Sequence, residues 1–289
     1  MLNDGGFWIV QILNSLQLAM LMLLLSVGLT VIFGLMNFVN LAHGSLYALG
    51  ALSGYSLAKT LGGMWAAYLL APVFVMAVGA LLYVTLIDRL RRAGPMKQVL
   101  VTFGLIFVIM DAQRYFWGTD QLGVTEYPFS GSLEILGQTY PAYRIFIILL
   151  GLTVFGLLYF LLERTRLGAE VRASVDDAET ASCLGVNVER TFFVVFLIGC
   201  ALAGLAGAVA MPAFSAEAGM GVSILVPTLV VVVVGGLGSL TGALAGSLLI
   251  ATTLTFGQVF FPEFAGILMY LLLVVVLLLR PAGLFPVRS

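Results

Sequence analysis

Apolar runs of about 20 residues recur along the whole chain, and that one feature removes most folds from consideration. As a helix, such a run spans the hydrocarbon of a bilayer. There each backbone N–H and C=O must be bonded within protein, so spanning elements are helices or closed barrels. The runs lie near residues 7–33, 44–58, 65–87, 98–117, 143–162, 191–211, 223–235, 239–258 and 264–279. They predict an all-α integral membrane protein of eight or nine transmembrane or half-spanning helices, organised as one domain over 1–289 and surrounded by membrane lipid. Only 9% of residues are charged, against roughly 25% in a soluble domain. A net charge of −1 gives no electrostatic basis for a nucleic-acid partner. Asp4 precedes the first run with no basic residue beside it, so that run is expected to be a retained span and not a signal peptide. Cys183 and Cys200 fall one in a polar loop and one in an apolar run, so no disulfide is expected.

Basic residues set the orientation. Arg89, Arg91, Arg92 and Lys97 share one loop, Arg164, Arg166, Arg172 and Arg190 a second, and Arg280 and Arg288 the C-terminus. Residues 118–142 hold Asp120, Glu126 and Glu134, and 212–222 hold Glu217, with no Lys or Arg in either stretch. The basic loops are therefore expected in the cytoplasm, with the N-terminus outside and the C-terminus inside.

Within this apolar background, residues 34–50 break the pattern. Asn37, Asn40 and His43 lie there, with Ser45 just beyond and Gly34 and Gly44 as flanks. A polar side chain in hydrocarbon costs kcal/mol unless it is paired or faces water or protein. If the helix runs on, the spacing i, i+3, i+6 places the three polar residues on one drifting stripe facing one cavity. If the glycines break it, the freed backbone groups must be buried in protein or line a wet path. The runs at 44–58 and 223–235 are short for a crossing, and the second abuts Gly235, Gly236 and Gly238. Discontinuous segments are thus expected near 34–44 and 235–239, and paired glycine-interrupted segments point to a transport path. The alternative for the glycines is close packing of neighbouring helices.

Other polar groups carry less. Asp111 and Arg114 stand one turn apart beside Trp117, which reads as a helix end at the headgroups. His43 is the single histidine and has no carboxylate or cysteine near it in sequence, so no metal site is expected. His43 and Ser45 lack the further groups of a hydrolase, so no catalytic residues are assigned. Lys59 and Thr60 end the one stretch resembling a phosphate loop, but Ser53 and Ala58 stand where glycines are needed. Any ATP must be hydrolysed by another chain.

Residues 163–190 are the second informative stretch. No proline or glycine interrupts 169–184, and Val171, Val175, Ala178, Ala181 and Leu184 recur every three or four residues. This predicts a short amphipathic helix, ended by Gly185 as a C′ residue, with Asn187 beginning the next turn. Its polar face is more acidic than basic, which disfavours anionic lipid and favours a groove in a cytosolic partner.

Taken together, GLMNFVNLAHGSLYALGA (34–51), the loop helix with LGVN (184–187), FLIGCALAGLAGAV (196–209), VVVVVGGLGSLTGALAG (230–246) and LLLRPAGLF (277–285) resemble the permease of branched-chain amino acid ABC importers, the LivH type. The resemblance covers nearly the whole chain. It implies a non-enzymatic permease subunit in a bacterial inner membrane, moving branched-chain amino acids or related small solutes such as urea, amides and aromatic acids. It also implies a homologous LivM-type permease, two cytoplasmic ATPase subunits that use ATP, a periplasmic substrate-binding protein, and no cofactor on this chain. Residues 37–45 match the family signature beside the translocation path. Val171 to Leu184 with Gly185 match the coupling helix, where Arg172, Asp176 and Asp177 are expected to contact the ATPase and Ala173 and Ala181 to allow close approach. Cys183 departs from that pattern. The competing classes are a secondary transporter or channel driven by an ion gradient, and a purely structural subunit.

Overall fold

The computed structural model describes residues 5–91, 93–124 and 127–285. Asp4, Arg92, Glu126 and Arg288, which entered the charge argument, lie outside the described residues. Each apolar run is a helix: α1 (Gly5–Met36), α2 (His43–Leu61), α3 (Met64–Leu82), α4 (Pro95–Trp117), α5 (Ala142–Arg164), α8 (Val188–Phe214), α9 (Met220–Gly235), α10 (Leu240–Phe260) and α11 (Ala265–Leu279). The loop between α5 and α8 carries α6 (Arg166–Asp176) and α7 (Ala178–Cys183). Seven helices, all but α2 and α9 among the long ones, are long and apolar enough to cross a membrane. α9 is short at 16 residues, and α2, with 19, carries Ser45, Ser53, Ser56 and Lys59.

α1 is the centre of the bundle. It is apolar all round, and 83% of its most apolar stretch is buried, against 17% for α4 and α11 at the periphery. A helix without a polar face belongs in the interior. It packs on α5, α8 and α10, while α2 packs on α3, α8 and α9. The α2–α8 contact is made by small residues: a Cβ on Gly50 would lie 2.6 Å from Gly204 Cα, so Gly50 cannot carry a side chain without parting the two helices, while a Cβ on Gly204 would meet Val75 and Pro72 of α3. α3 continues through a π-helical turn (Tyr83–Ile87) to Arg91, and the wider turn lets Tyr83 pack against Phe193 and Phe196 of α8.

At the end of the bundle that carries Trp117, Asp111 and Arg114 pair at 3.4 Å on the exposed face of α4, and Trp117 donates its indole N–H to Ser56 Oγ. The helix-end reading of that pair stands. One element escaped the sequence pattern. Residues 132–141 form a small antiparallel hairpin, β1 (Ser132–Ile135) and β2 (Gln138–Pro141), turning at Leu136 and Gly137 with φ of 48° and 77°. Two consecutive positive φ angles suit a tight hairpin turn, where Asn-Gly is the usual signal and Leu-Gly gave little warning.

Candidate functional site

Both expected discontinuities are present, and they meet. α1 ends at Met36, and Asn37 follows with a left-handed φ of 46°. The stripe expected of a continuous helix is therefore not formed, and the polar residues part company. Asn37 is exposed. Asn40 is buried and uses its side-chain oxygen to accept from Ala42 N–H at 3.1 Å, a local turn that launches α2. His43 is fully buried, with its ring against Gly28 and Nε2 3.3 Å from Leu25 O, so Nε2 carries the proton and Nδ1 is left without a partner. Ser45 is buried, and its carbonyl accepts from Gln113 Nε2 at 2.9 Å. Thr102 Oγ1 lies 3.4 Å from Val39 O. Thr102 on α4 thus reaches a carbonyl within the break, and Gln113 adds a bond to a carbonyl of the first turn of α2. The sequence offered them only as two polar residues inside an apolar run.

The second break has a different construction. Gly236 and Gly238 take φ of 108° and 80°, turning the chain sharply between α9 and α10. The carbonyls at the end of α9 are bonded from the C-terminal tail: Leu284 N–H donates to Val234 O and Phe285 N–H to Gly235 O, each at 2.9 Å. Ser239 Oγ then caps α10 by accepting from Gly242 N–H at 3.0 Å. Two blocks separate in sequence, 230–246 and 277–285, are thereby one structural unit. The two breaks touch where a Cβ on Gly34 would lie 2.6 Å from Gly238 Cα.

The loop is two helices where the sequence predicts one. Asp177 interrupts it with extended backbone and caps α7, its Oδ1 accepting from Glu179 and Thr180 N–H at 3.0 and 3.1 Å and its Oδ2 bonding the Thr180 hydroxyl. These bonds, the Thr180 hydroxyl foremost, hold the Asp177 carboxyl below its ordinary range. An aspartate that caps competes well against continued helix, and periodicity alone does not register this. Gly185, at φ 89°, ends α7 as expected: Val186 N–H donates to Ala181 O and Gly185 N–H to Ser182 O, a Schellman arrangement. Asn187 Oδ1 caps α8.

The expected coupling residues divide into two groups. Val171 and Ala181 are buried, Arg172 donates to Leu162 O and pairs with Glu163 at 3.8 Å, and Asp177 is spent on capping. Asp176, Val175, Ala178, Cys183, Leu184 and Gly185 are exposed, with Ala173 half-buried between them. α6 also reaches the second break. A cavity of about 450 Å³ is lined by Arg172 and Asp176 on one side and by Gly34, Gly238, Ser239 and Thr241 on the other. Arg91 lies 3.8 Å from Glu189, which ties the loop after α3 to the start of α8.

The family model described as branched-chain amino acid transport system / permease component matches residues 11–277. The chain belongs to that permease family. This permease is 26% identical to the high-affinity branched-chain amino acid transport system permease protein BraD of Pseudomonas aeruginosa, over 96% of the chain and 95% of the relative. It is 27% identical to LivH of Escherichia coli K12, over the same shares. LivM of Escherichia coli K12 is 26% identical over 93% of the chain and 68% of its own length. Among solved structures, an inward-facing ABC transporter described as of metal-chelate type matches with a TM-score of 0.51 at 18% identity, covering 96% of the chain and 89% of its own. At that identity the likeness concerns the fold alone.

Proposed function

We propose that this permease is the membrane subunit of an ABC importer that carries branched-chain amino acids, or related small amphipathic solutes, into the cytoplasm. The observation that carries the reading is the single cavity walled by both the loop helix α6 and the turn between α9 and α10. Movement of the loop has a direct mechanical route to the point where two broken helices meet. ATP is bound and hydrolysed by two partner ATPases, a LivM-type permease completes the membrane domain, and a periplasmic protein delivers substrate. The exposed residues of the loop, Leu184 and Asp176 among them, dock on the ATPase with Ala173 allowing close approach, while Ala181 is buried and takes no part in that contact. Arg172 and Asp177 set the shape of the loop. Asn37, Asn40, His43, Ser45, Gly235, Gly236 and Gly238 frame the translocation path.

Orientation follows the basic loops, with the N-terminus outside and the C-terminus in the cytoplasm. Among the described residues no Asp, Glu, Lys or Arg is buried. Ion-coupled transporters use such groups, so an external energy source is favoured. The test is co-purification from the native membrane followed by reconstitution. Two ATPases and a second permease, with ATP-driven L-leucine uptake, are the expected result. Uptake by this chain alone, driven by an ion gradient, would overturn the reading.

A further inference from the structure

We propose that the hairpin β1–β2 is a membrane-seated anchor, whose apolar rim lies in the headgroup layer of the bilayer at the Trp117 end of the bundle. The pleat separates two faces. Ser132, Glu134 and Thr139 are exposed on one. On the other, Tyr140 is buried and Ile135 half-buried, with Leu133 directly opposite Tyr140. The bundle covers part of that apolar face and leaves its rim open. Leu133, Leu136 at the turn, Phe129 just before the hairpin, and Trp65, on which Phe129 packs, keep between 49% and 69% of their surface exposed.

Continuity decides what covers the rim. The Phe129 ring lies 6.1 Å from that of Trp65, edge-on, and 5.5 Å from that of Phe146. Trp65 opens the exposed side of α3, which runs on through Leu69 and Val73, and Phe146 stands one turn before the exposed Leu149 on α5. Both helices are long and apolar enough to cross a membrane, so the rim prolongs their lipid-facing sides at the level where aromatic residues gather. The backbone points the same way. Phe129 and Leu136 sit at left-handed φ of 59° and 48°, which bulky residues rarely adopt and which Asn or Gly would suit better. Large apolar side chains held at such angles, both open and both on one rim, are explained if each enters lipid.

Charge sets the lipid class. Residues 118–141 contain no Lys or Arg, and Arg144, the first basic residue after them, donates to Asn14 Oδ1 at 2.6 Å and stays with the bundle. Anchoring through apolar area alone needs no anionic lipid. The same loop also reaches the connection between α8 and α9, where Leu122 and Ala216 exchange N–H···O bonds of 2.8 and 2.7 Å. The bilayer surface thereby gains a hold on the turn that leads into α9. The inference goes beyond the permease reading and needs only that the bundle spans a bilayer.

The test uses the full chain carrying Cys183→Ser, Cys200 being buried, with a nitroxide on Leu133→Cys, Glu134→Cys, Leu136→Cys or Thr139→Cys. Each is reconstituted in phosphatidylcholine and in phosphatidylglycerol vesicles, alone and in the assembled importer. Collisions with oxygen, which collects in the bilayer, are compared with collisions with a water-soluble nickel chelate. Labels at 133 and 136 should show an oxygen-to-nickel ratio several-fold above those at 134 and 139, equal in the two lipids. Asn accepts a left-handed φ, so Leu136→Asn should keep the hairpin folded while lowering the ratio at 133 several-fold. Nickel collisions at 133 and 136 equal to those at 134 and 139 would place the rim in water and overturn the anchor. Protection from both reagents would mean that a protein partner covers the rim, and insertion confined to phosphatidylglycerol would mean attraction by headgroup charge. Either result also overturns it, as does a ratio at 133 that ignores Leu136→Asn. ATP-driven leucine uptake is read separately, so failure of the anchor leaves the permease reading intact.

Discussion

Replacing Gly34 by Ala tests the claim that the two broken segments act as one joint. The added Cβ would lie 2.6 Å from Gly238 Cα, whereas carbon atoms in contact prefer about 3.5–4.0 Å. About 1 Å of separation must therefore open at that point. The neighbour is backbone in a turn held at φ 80°, so no rotamer change relieves it. Overpacking of this kind costs about 1–3 kcal/mol. Helix propensity works in the opposite direction by about 0.5–1 kcal/mol in favour of Ala, so any net loss belongs to the clash. If transport requires this joint to close, a cost of about 1–3 kcal/mol reduces the closed population about 5–150-fold. The assay is ATP-driven L-leucine uptake by the reconstituted complex at matched membrane content, together with thermal unfolding of the purified chain. Gly104→Ala is the control, because a Cβ there meets nothing within 4 Å and should leave uptake unchanged. Wild-type uptake and unfolding temperature in Gly34→Ala would refute the joint.

Arg172→Glu removes the donor to Leu162 O and places like charge beside Glu163, so uptake should fall several-fold while ATP hydrolysis and membrane content persist. Normal uptake would free Arg172 of any part in the loop. Asn40→Leu deletes the acceptor for Ala42 N–H and should cost about 1 kcal/mol of stability with impaired uptake in an assembled complex; equal stability and uptake would reduce the residue to packing. The Asp177 carboxyl is held below its ordinary value by bonds present only when folded, so its contribution to α7 exists above the ordinary carboxylate range and is lost as pH falls through the lowered value. The protection of amides 178–183, measured relative to their intrinsic exchange rates, should therefore fall on acidification, and Asp177→Asn, which still caps, should abolish that pH dependence. Cys183 is exposed and Cys200 buried, so a membrane-impermeant maleimide should label Cys183 alone, and only when the cytoplasmic face is accessible. Labelling from the outside would invert the proposed orientation.

Much of the site was legible as interruption. Glycine and asparagine inside an apolar run are costly enough that Gly34, Asn37, Asn40 and Gly235–Gly238 marked two places where a helix could break. Where each side chain went was not legible. Asn37, Asn40 and His43 share a helical stripe on paper, but a single left-handed φ at Asn37 cancels that geometry and sends one to the surface, one to the backbone and one against Gly28. The division of the loop at Asp177 was hidden for a related reason, since a cap and a surface aspartate look alike until the neighbouring N–H groups are placed.

The sequence by itself determined the class and the places of the apolar helices, because hydrocarbon thickness acts on each segment independently of its neighbours. Tertiary structure alone decided that the tail 284–285 closes α9, that Gln113 answers Ser45, that Gly34 meets Gly238, and that Arg172, Asp176 and the start of α10 surround one cavity. Each of these joins residues far apart in the chain. Their approach is fixed by how close two backbones can come, and that depends on both surfaces together.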